Sequence, residues 1–451
     1  MSEQPRNRVI VIGAGIAGLT AGRTLAHQGF SVKIFEAAER VGGRMTTDTI
    51  GDFIIDRGAQ FLSTGYPRLL SLVRDLGLEK DLRPVSRWQG VVRNARVRRI
   101  RDNDPGSALF SGLLNFPGWA RLTLLRRAGT FARSKLDLGD YSQWCEFDKE
   151  NALRWSRRQL GPAASAYVIE PMLQGFYFQE IETTSRALAQ VALAFGARSK
   201  RMLALQGGMA RLPEALAAGL DVKLATPVVA MNVWQDTVIV ATLGERFEAD
   251  YVVMATTAPV ARRLYHQAID DERRLLEVMY SSNLNLALMT DADFALPGRL
   301  RNVYGVLVPR LERKHVAAIA IDANKNRDRV GSGHLLNVML AGVSSQEMMK
   351  FPDDEILRSV LPEMEDYLPG IAARVAAKRI YRWPEAEPLS VPGRAINIRN
   401  YRERIQKGRS ARIFLAGDYL SMPFTEGAAE SGLWAAGAIQ RQHSLRPKEG
   451  V

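Results

Sequence analysis

Cysteine is almost missing: Cys145 is the only one in 451 residues, so no internal disulfide forms and no multi-cysteine metal centre exists. That usage fits a reducing cytoplasm. Histidine is scarce as well, and none of His27, His266, His315, His334 and His443 falls into metal-ligand spacing. No Ser-His-Asp order, no Walker loop and no internal repeat is present, which removes the usual carriers of nucleophilic hydrolysis and P-loop chemistry. Long apolar runs are lacking, so no membrane-crossing helix is expected. The short run at Val9 has neither the length nor the small-residue cleavage pattern of a secretion signal. Acids are in deficit, with 48 Asp and Glu against 61 Lys and Arg and a net charge of +13. Such a balance suits nucleic acid, an anionic substrate or a membrane surface. No nucleic-acid motif accompanies it, and nucleic acid is not an expected partner.

The basic residues are dispersed, with one local cluster in LLNFPGWARLTLLRRAGTFARSK. There Trp119, Leu122, Leu125 and Phe131 mix with Arg121, Arg126, Arg127 and Arg133. An amphipathic helix lying on a membrane face has this composition, and so does a helix with arginines on its wet side. Both readings stay open at this level.

What the chain does have is concentrated near its start. Val9 to Ile12 is an apolar, strand-like run. Gly13, Gly15 and Gly18 follow in G-x-G-x-x-G spacing, then a helix-like stretch, then a second apolar run ending on Glu36. Glycine at 13 permits the tight turn out of the strand. Glycine at 15 leaves room for a pyrophosphate, and glycine at 18 lets the helix pack close to the sheet. The helix start, with Ile16 and Ala17, turns free N–H groups toward the phosphates. Glu36 offers a carboxylate to a ribose diol and repels a 2′-phosphate, which favours FAD or NAD over NADP.

The continuation chooses between the two. Glu36, Arg40, Gly42, Gly43 and Arg44 spell E-x-x-x-R-x-G-G-R. This resembles the flavin-binding signature of the family that holds flavin amine oxidases, protoporphyrinogen oxidases and carotenoid desaturases. The resemblance implies FAD, with the glycine pair passing close to the cofactor. Arg40 and Arg44 suit the phosphates, since guanidinium forks match phosphate oxygens. With the single cysteine far from any flavin motif, the FAD is expected to be non-covalent.

Three further segments carry the same resemblance. Asp56, Gly58, Ala59, Gln60 and Phe61 match a segment that lines the flavin ring, and a helix from Pro67 to Leu76 leaves it. Gly207 and Gly208 break the chain before a helix. The stretch to Pro259 then reads as strands, with a β-branched run at Thr237 to Val240, a turn at Gly244 and a buried strand from Tyr251 to Met254. Small residues from Ala255 and Thr256 onward allow close backbone approach. The resemblance places Val228 or Val229 at the adenine, although plain hairpin packing explains the local pattern equally well. Near the end, Ile413 to Ala416 form a strand, followed by Gly417 and Asp418, the latter suited to the ribityl chain or a pyrophosphate-linked water. A helix is expected to start near Gly427. Its first N–H groups, flanked by Thr425 and Ala428, would face the flavin edge where negative charge collects on reduction.

The expected class is α/β: a Rossmann-type FAD-binding domain assembled from discontinuous segments (1–75, 203–262 and 394–446) and an α+β substrate domain (76–202 and 263–393), with 447–451 a frayed tail. The resemblance is strongest toward protoporphyrinogen oxidase-like members, through Tyr167 to Phe195, through GGMARLPEALA and through Arg382 to Gly393. The strand region Tyr280 to Thr290 contains no lysine, whereas amine oxidases usually carry one there. Phe424 and Trp383 are the aromatics expected beside the flavin, with no clear tyrosine pair. The histidines fall outside every flavin segment and are taken as surface or structural residues.

These features imply an FAD oxidoreductase that removes hydrogens from a large, mostly apolar small molecule by hydride transfer. Positioning would supply much of the rate, with the hard chemistry left to the cofactor. A porphyrinogen-like or polyene-like substrate comes first, a flavin amine oxidase second, and a non-catalytic FAD-binding protein third. No catalytic residue, metal or oligomeric state is assigned, and the cytoplasm or the inner face of a membrane is the expected location.

Overall fold

Val9–Ile12 is apolar without alternation, and Tyr251–Met254 is buried on both faces in the same way. Such strands belong in the middle of a parallel sheet covered on both sides. A computed structural model, describing residues 7–127, 136–408 and 411–445, pairs them side by side and parallel, with Val9 against Tyr251 and Ile12 against Met254. Ser31–Phe35 and Asp221–Lys223 extend the sheet on one side and Ile413–Leu415 on the other, all parallel. Five strands from three distant stretches of chain therefore make one sheet, and the class is α/β. The helices Ile16–His27 and Thr425–Ser444 cross closely on this sheet: a Cβ on Gly432 would stand 2.2 Å from the Ala17 carbonyl oxygen. The helix expected near Gly427 begins at Thr425, and the Pro67 helix ends at Asp75.

A second, seven-stranded sheet runs in the order Val375–Trp383, Asn283–Thr290, Leu335–Leu340, Val316–Ile321, Val303–Leu307, Trp88–Arg93, Arg96–Arg101. Its neighbours are antiparallel except for Val303–Leu307 beside Trp88–Arg93. Alternation decides its two faces. Leu284, Leu286 and Leu288 pack with Ile356, Val360 and Met364 of the Asp353–Tyr367 helix in one core cluster. Asn283 and Asn285, from the opposite face of the same strand, line a cavity between this sheet and the parallel one.

Helices between residues 105 and 198 close the cavity from a third side. The helix Phe116–Arg127 carries the basic cluster. Leu122 is buried in the core, with Trp119 and Leu125 packed against it. The apolar side chains given to solvent here are instead Phe110, Phe116 and Leu124, exposed by 89%, 65% and 65%. Phe131, Arg133, the Arg127 side chain and the tail 447–451 lie outside the described residues. Among the described residues no helix is long and apolar enough to cross a membrane. None of their His, Cys, Asp or Glu side chains cluster so as to hold a metal ion.

Candidate flavin site

One cavity of about 940 Å³ runs from the carboxyl ends of the parallel strands to the second sheet. At the first end the chain leaves its opening strand through Gly13, whose φ of +103° would strain a side chain and whose Cβ would meet the Ala255 carbonyl oxygen at 2.7 Å. A Cβ on Gly15 would meet no protein atom within 4 Å, because it would point into the cavity. The helix that follows has no side-chain cap and no acid in its first turn, so its leading N–H groups are free for an anion. An open cradle against a bare helix start fits a pyrophosphate.

Glu36 sits at the end of the second strand and is held by two backbone bonds: Ala14 N–H donates to Oε2 at 2.7 Å and Ala38 N–H to Oε1 at 2.9 Å. Each oxygen keeps lone-pair capacity for a diol. Arg40 donates to the Gly43 carbonyl at 3.1 Å. Burial, then repulsion from Arg57, pulls its guanidinium below the ordinary value, a state that an added anion would relieve.

Arg44 does more than face phosphates. Its Nη1 lies 2.8 Å from Asp418 Oδ2 and donates to the Ala386 carbonyl, with Glu387 Oε2 at 3.8 Å. Burial alone would lower this guanidinium, but Asp418 and Glu387 outweigh burial and hold it above its ordinary value. The cost falls on Glu387, which burial and the neighbouring Asp418 push well above the carboxylate range despite Arg44.

The remaining motif residues divide by direction. Ile16, Ala17, Gly42, Gly43, Gly58, Ala59, Gln60, Phe61, Val228, Ala255, Thr256, Gly417, Asp418, Thr425 and Ala428 all line the cavity. Gly18, Val229 and Gly427 do not. The first and third serve close packing: a Cβ on Gly18 would lie 1.9 Å from the Gly13 carbonyl oxygen, and one on Gly427 would lie 2.1 Å from that of Met422. Val229 is 49% exposed and donates its N–H to the Ala241 carbonyl, so of the adjacent valines Val228 faces the cavity. The intervening Glu426 turns away and accepts from the N–H groups of Arg68 and Leu69, capping the Pro67–Asp75 helix from another element.

Asp56 stands behind the cavity wall, fully buried. Its Oδ2 accepts from Lys325 Nζ at 2.7 Å and Arg329 Nη2 at 2.8 Å, and its Oδ1 accepts from Thr47 Oγ1 and Met209 N–H. Asp322 balances the second cation. Burial opposes ionisation of Asp56, but Lys325 and Arg329 hold it below the usual range. Lys325 also reaches the Oε1 of Gln60 at 3.3 Å, and Gln60 donates to the carbonyls of Asp56 and Gly58. The cluster thereby fixes the Gly58–Phe61 segment that lines the cavity. Asn337 donates to Asp322 at 2.6 Å and accepts from Asn285, extending the network to the face where the sequence has no lysine.

Phe424 and Trp383 both line the cavity, but the aromatic wall has members the sequence reading missed. Tyr66 stacks on Phe424 with centroids 5.4 Å apart and planes at 21°, and Tyr177 tilts against the same ring at 6.4 Å. Burial raises both hydroxyls, so both are neutral donors. No spacing rule links residues 66, 177 and 424, since three separate helix ends bring them together. Lys325, Arg329 and Glu387 were also missed, for each looks like an ordinary surface charge in one dimension. No described histidine lines the cavity. Cys145 lies elsewhere, buried, with its Sγ donating to the Ser142 carbonyl.

Comparison with known proteins gives a family match over residues 16–440, to the family described as flavin containing amine oxidoreductase. Coproporphyrinogen III oxidase of Mycobacterium tuberculosis is 25% identical over 451 aligned residues, covering 93% of this chain and 95% of that one. Protoporphyrinogen oxidase 2 of Arabidopsis thaliana is 22% identical, covering 85% and 84%. Among solved structures, putrescine oxidase bound to putrescine superposes with a TM-score of 0.75 at 19% identity, covering 96% of this chain and 99% of that one.

Proposed function

The chain belongs to the flavin containing amine oxidoreductases and is an FAD-dependent oxidoreductase; from that premise we propose that it dehydrogenates a porphyrinogen-like, largely apolar substrate. The observation that carries this reading is the continuity of the cavity. It passes from Gly13 and Glu36 through the aromatic wall of Tyr66, Tyr177 and Phe424 to Leu113, Leu122 and Met172. We take the FAD-binding unit as residues 1–75, 203–262 and 394–446 and the substrate unit as 76–202 and 263–393.

Flavin, when bound, supplies the acceptor for a hydride. The chain's own residues do the rest. The helix start at Ile16 and Ala17, with Arg40 and Arg44, would hold the phosphates; Glu36 would hold the adenosine ribose and Val228 would pack on the adenine. Asp418 and Gly417 would meet the ribityl chain. The segment Gly58, Ala59, Gln60 and Phe61, with Thr425 and Ala428, borders the ring. Tyr66, Tyr177 and Phe424 orient a flat or apolar substrate and exclude water from the reacting carbon. Cys145 is remote from this cavity, and we assign non-covalent binding.

A flavin amine oxidase is the second reading, favoured by the aromatic faces of the same trio, which suit a cation. Glu387 weighs against it, because burial and Asp418 disfavour its charged form and so weaken it as a counter-charge for an ammonium. Anaerobic mixing of the yellow protein with coproporphyrinogen, a carotenoid precursor and several amines separates the readings. Bleaching by the porphyrinogen or the polyene alone is expected; bleaching by an amine reverses the order. A flavin that no reductant bleaches would leave a non-catalytic FAD protein.

We place the protein in the cytoplasm, touching a membrane face through Phe116 and Leu124 of the basic helix and Phe110 beside it. Co-sedimentation with anionic vesicles, lost in a Phe110→Ser, Phe116→Ser, Leu124→Ser variant, is the expected result. Recovery in the supernatant of the unaltered protein would remove this contact.

A further inference from the structure

Among the described residues five arginines line the cavity, and four are accounted for. Arg44 and Arg57 are paired with Asp418 and Asp48, and Arg40 lies in the Gly42–Gly43 loop at the cofactor end. Arg101 is on the exposed rim, with its guanidinium 5.9 Å from the Trp88 ring centroid. Arg126 is different. It stands one turn beyond Leu122 on the helix Phe116–Arg127, so the two share a face, and both line the cavity. Leu113, Leu122, Ala192 and Phe195 line the same cavity. The one hydrogen bond its guanidinium makes among the described residues is long, to the Gly196 carbonyl at 3.5 Å. Among the described residues, burial alone lowers it and no carboxylate acts on it. The adjoining residues 128–135 contain no acid. The nearby rim acids are engaged: Asp104 accepts from Ser107 N–H, and Asp102 is hydrogen-bonded to Gln89.

A guanidinium held partly out of water beside apolar side chains, without a counter-charge, is costly unless a ligand supplies the charge. We propose that Arg126 is the anchor of an outer subsite that takes a carboxylate carried on an apolar body. The substrate then lies with its anionic end at this helix and its oxidisable carbon toward the aromatic wall. This rests on the dehydrogenase reading and narrows its substrate to anionic amphiphiles. A guanidinium fork meets a carboxylate with two parallel hydrogen bonds, which also fixes orientation.

The test is binding to the FAD-loaded protein, read by probe fluorescence or equilibrium dialysis. Two pairs of probes are used: coproporphyrin III against its tetramethyl ester, and oleate against oleyl alcohol. Which acid binds identifies the body; the preference for acid over neutral partner tests the subsite. Arg126→Gln is expected to weaken the acid about tenfold or more while leaving the neutral partner unchanged, and Arg126→Lys to restore part of the loss. FAD content and Tm of each variant are measured alongside, and Arg126→Met replaces the Gln variant if that protein loses FAD. Equal binding of acid by wild type and the neutral variants overturns the subsite, as does failure of both acids to bind wild type. Bleaching by porphyrinogen is scored separately, so the dehydrogenase reading can stand while the subsite falls.

Discussion

Single side chains here are set by what they face. Glu36 spends one hydrogen bond per oxygen on the loop and keeps the rest of its capacity for a ligand. Glu36→Ala should weaken FAD binding by about 1–3 kcal/mol, measured by FAD titration of the apoprotein; unchanged FAD retention would sink the ribose assignment. Asp102 gives a pH-dependent counterpart. Burial pushes its carboxyl from 3.8 up to about 6. The folded protein therefore favours the protonated form, and stability from this group is complete below its ordinary value and lost as pH rises through about 6. Asp102→Asn should raise Tm relative to wild type more at pH 7 than at pH 4. A difference that does not change with pH would show that the group does not titrate in that window.

Elements meet at contacts that tolerate little. Gly432 lets two helices of the parallel-sheet unit approach, and a methyl group there would stand 2.2 Å from the Ala17 carbonyl. Gly432→Ala should cost about 1–3 kcal/mol in denaturant unfolding, and because that helix also carries Thr425 and Ala428, FAD affinity should fall with it. Wild-type stability in this variant would mean that the helices separate freely. On the other side of the cavity, Asp56 and Asp322 are tied to Lys325 and Arg329 in full burial. Removing one cation strands a charge, so Lys325→Met should destabilise by about 3–5 kcal/mol. An unfolding midpoint equal to wild type would rule out a charged cluster.

Across the whole molecule, the parallel-sheet end of the cavity is assembled from stretches around residues 8–36, 221–254 and 413–444, and FAD bound as proposed would bridge them. Removing FAD should lower Tm, and the loss should be reversed by added FAD in proportion to the logarithm of its free concentration. Acid denaturation should release all the flavin; flavin retained on the denatured chain would mean a covalent link.

Much of this was legible in one dimension, because local geometry demanded it. A strand that must turn sharply under a phosphate needs glycine where Gly13 and Gly15 stand, whatever the rest of the chain does. The buried central strands are apolar on both faces, so their runs stand out at Val9 and Tyr251. What tertiary structure alone decided is which distant side chains share a space. Tyr66, Tyr177 and Phe424 form one wall, Lys325 comes to rest against Asp56, and Glu387 meets Arg44 and Asp418. No periodicity records such meetings, because they depend on how two sheets face each other across a cavity. The cofactor is therefore written in short motifs, while the substrate chamber is a property of the folded whole.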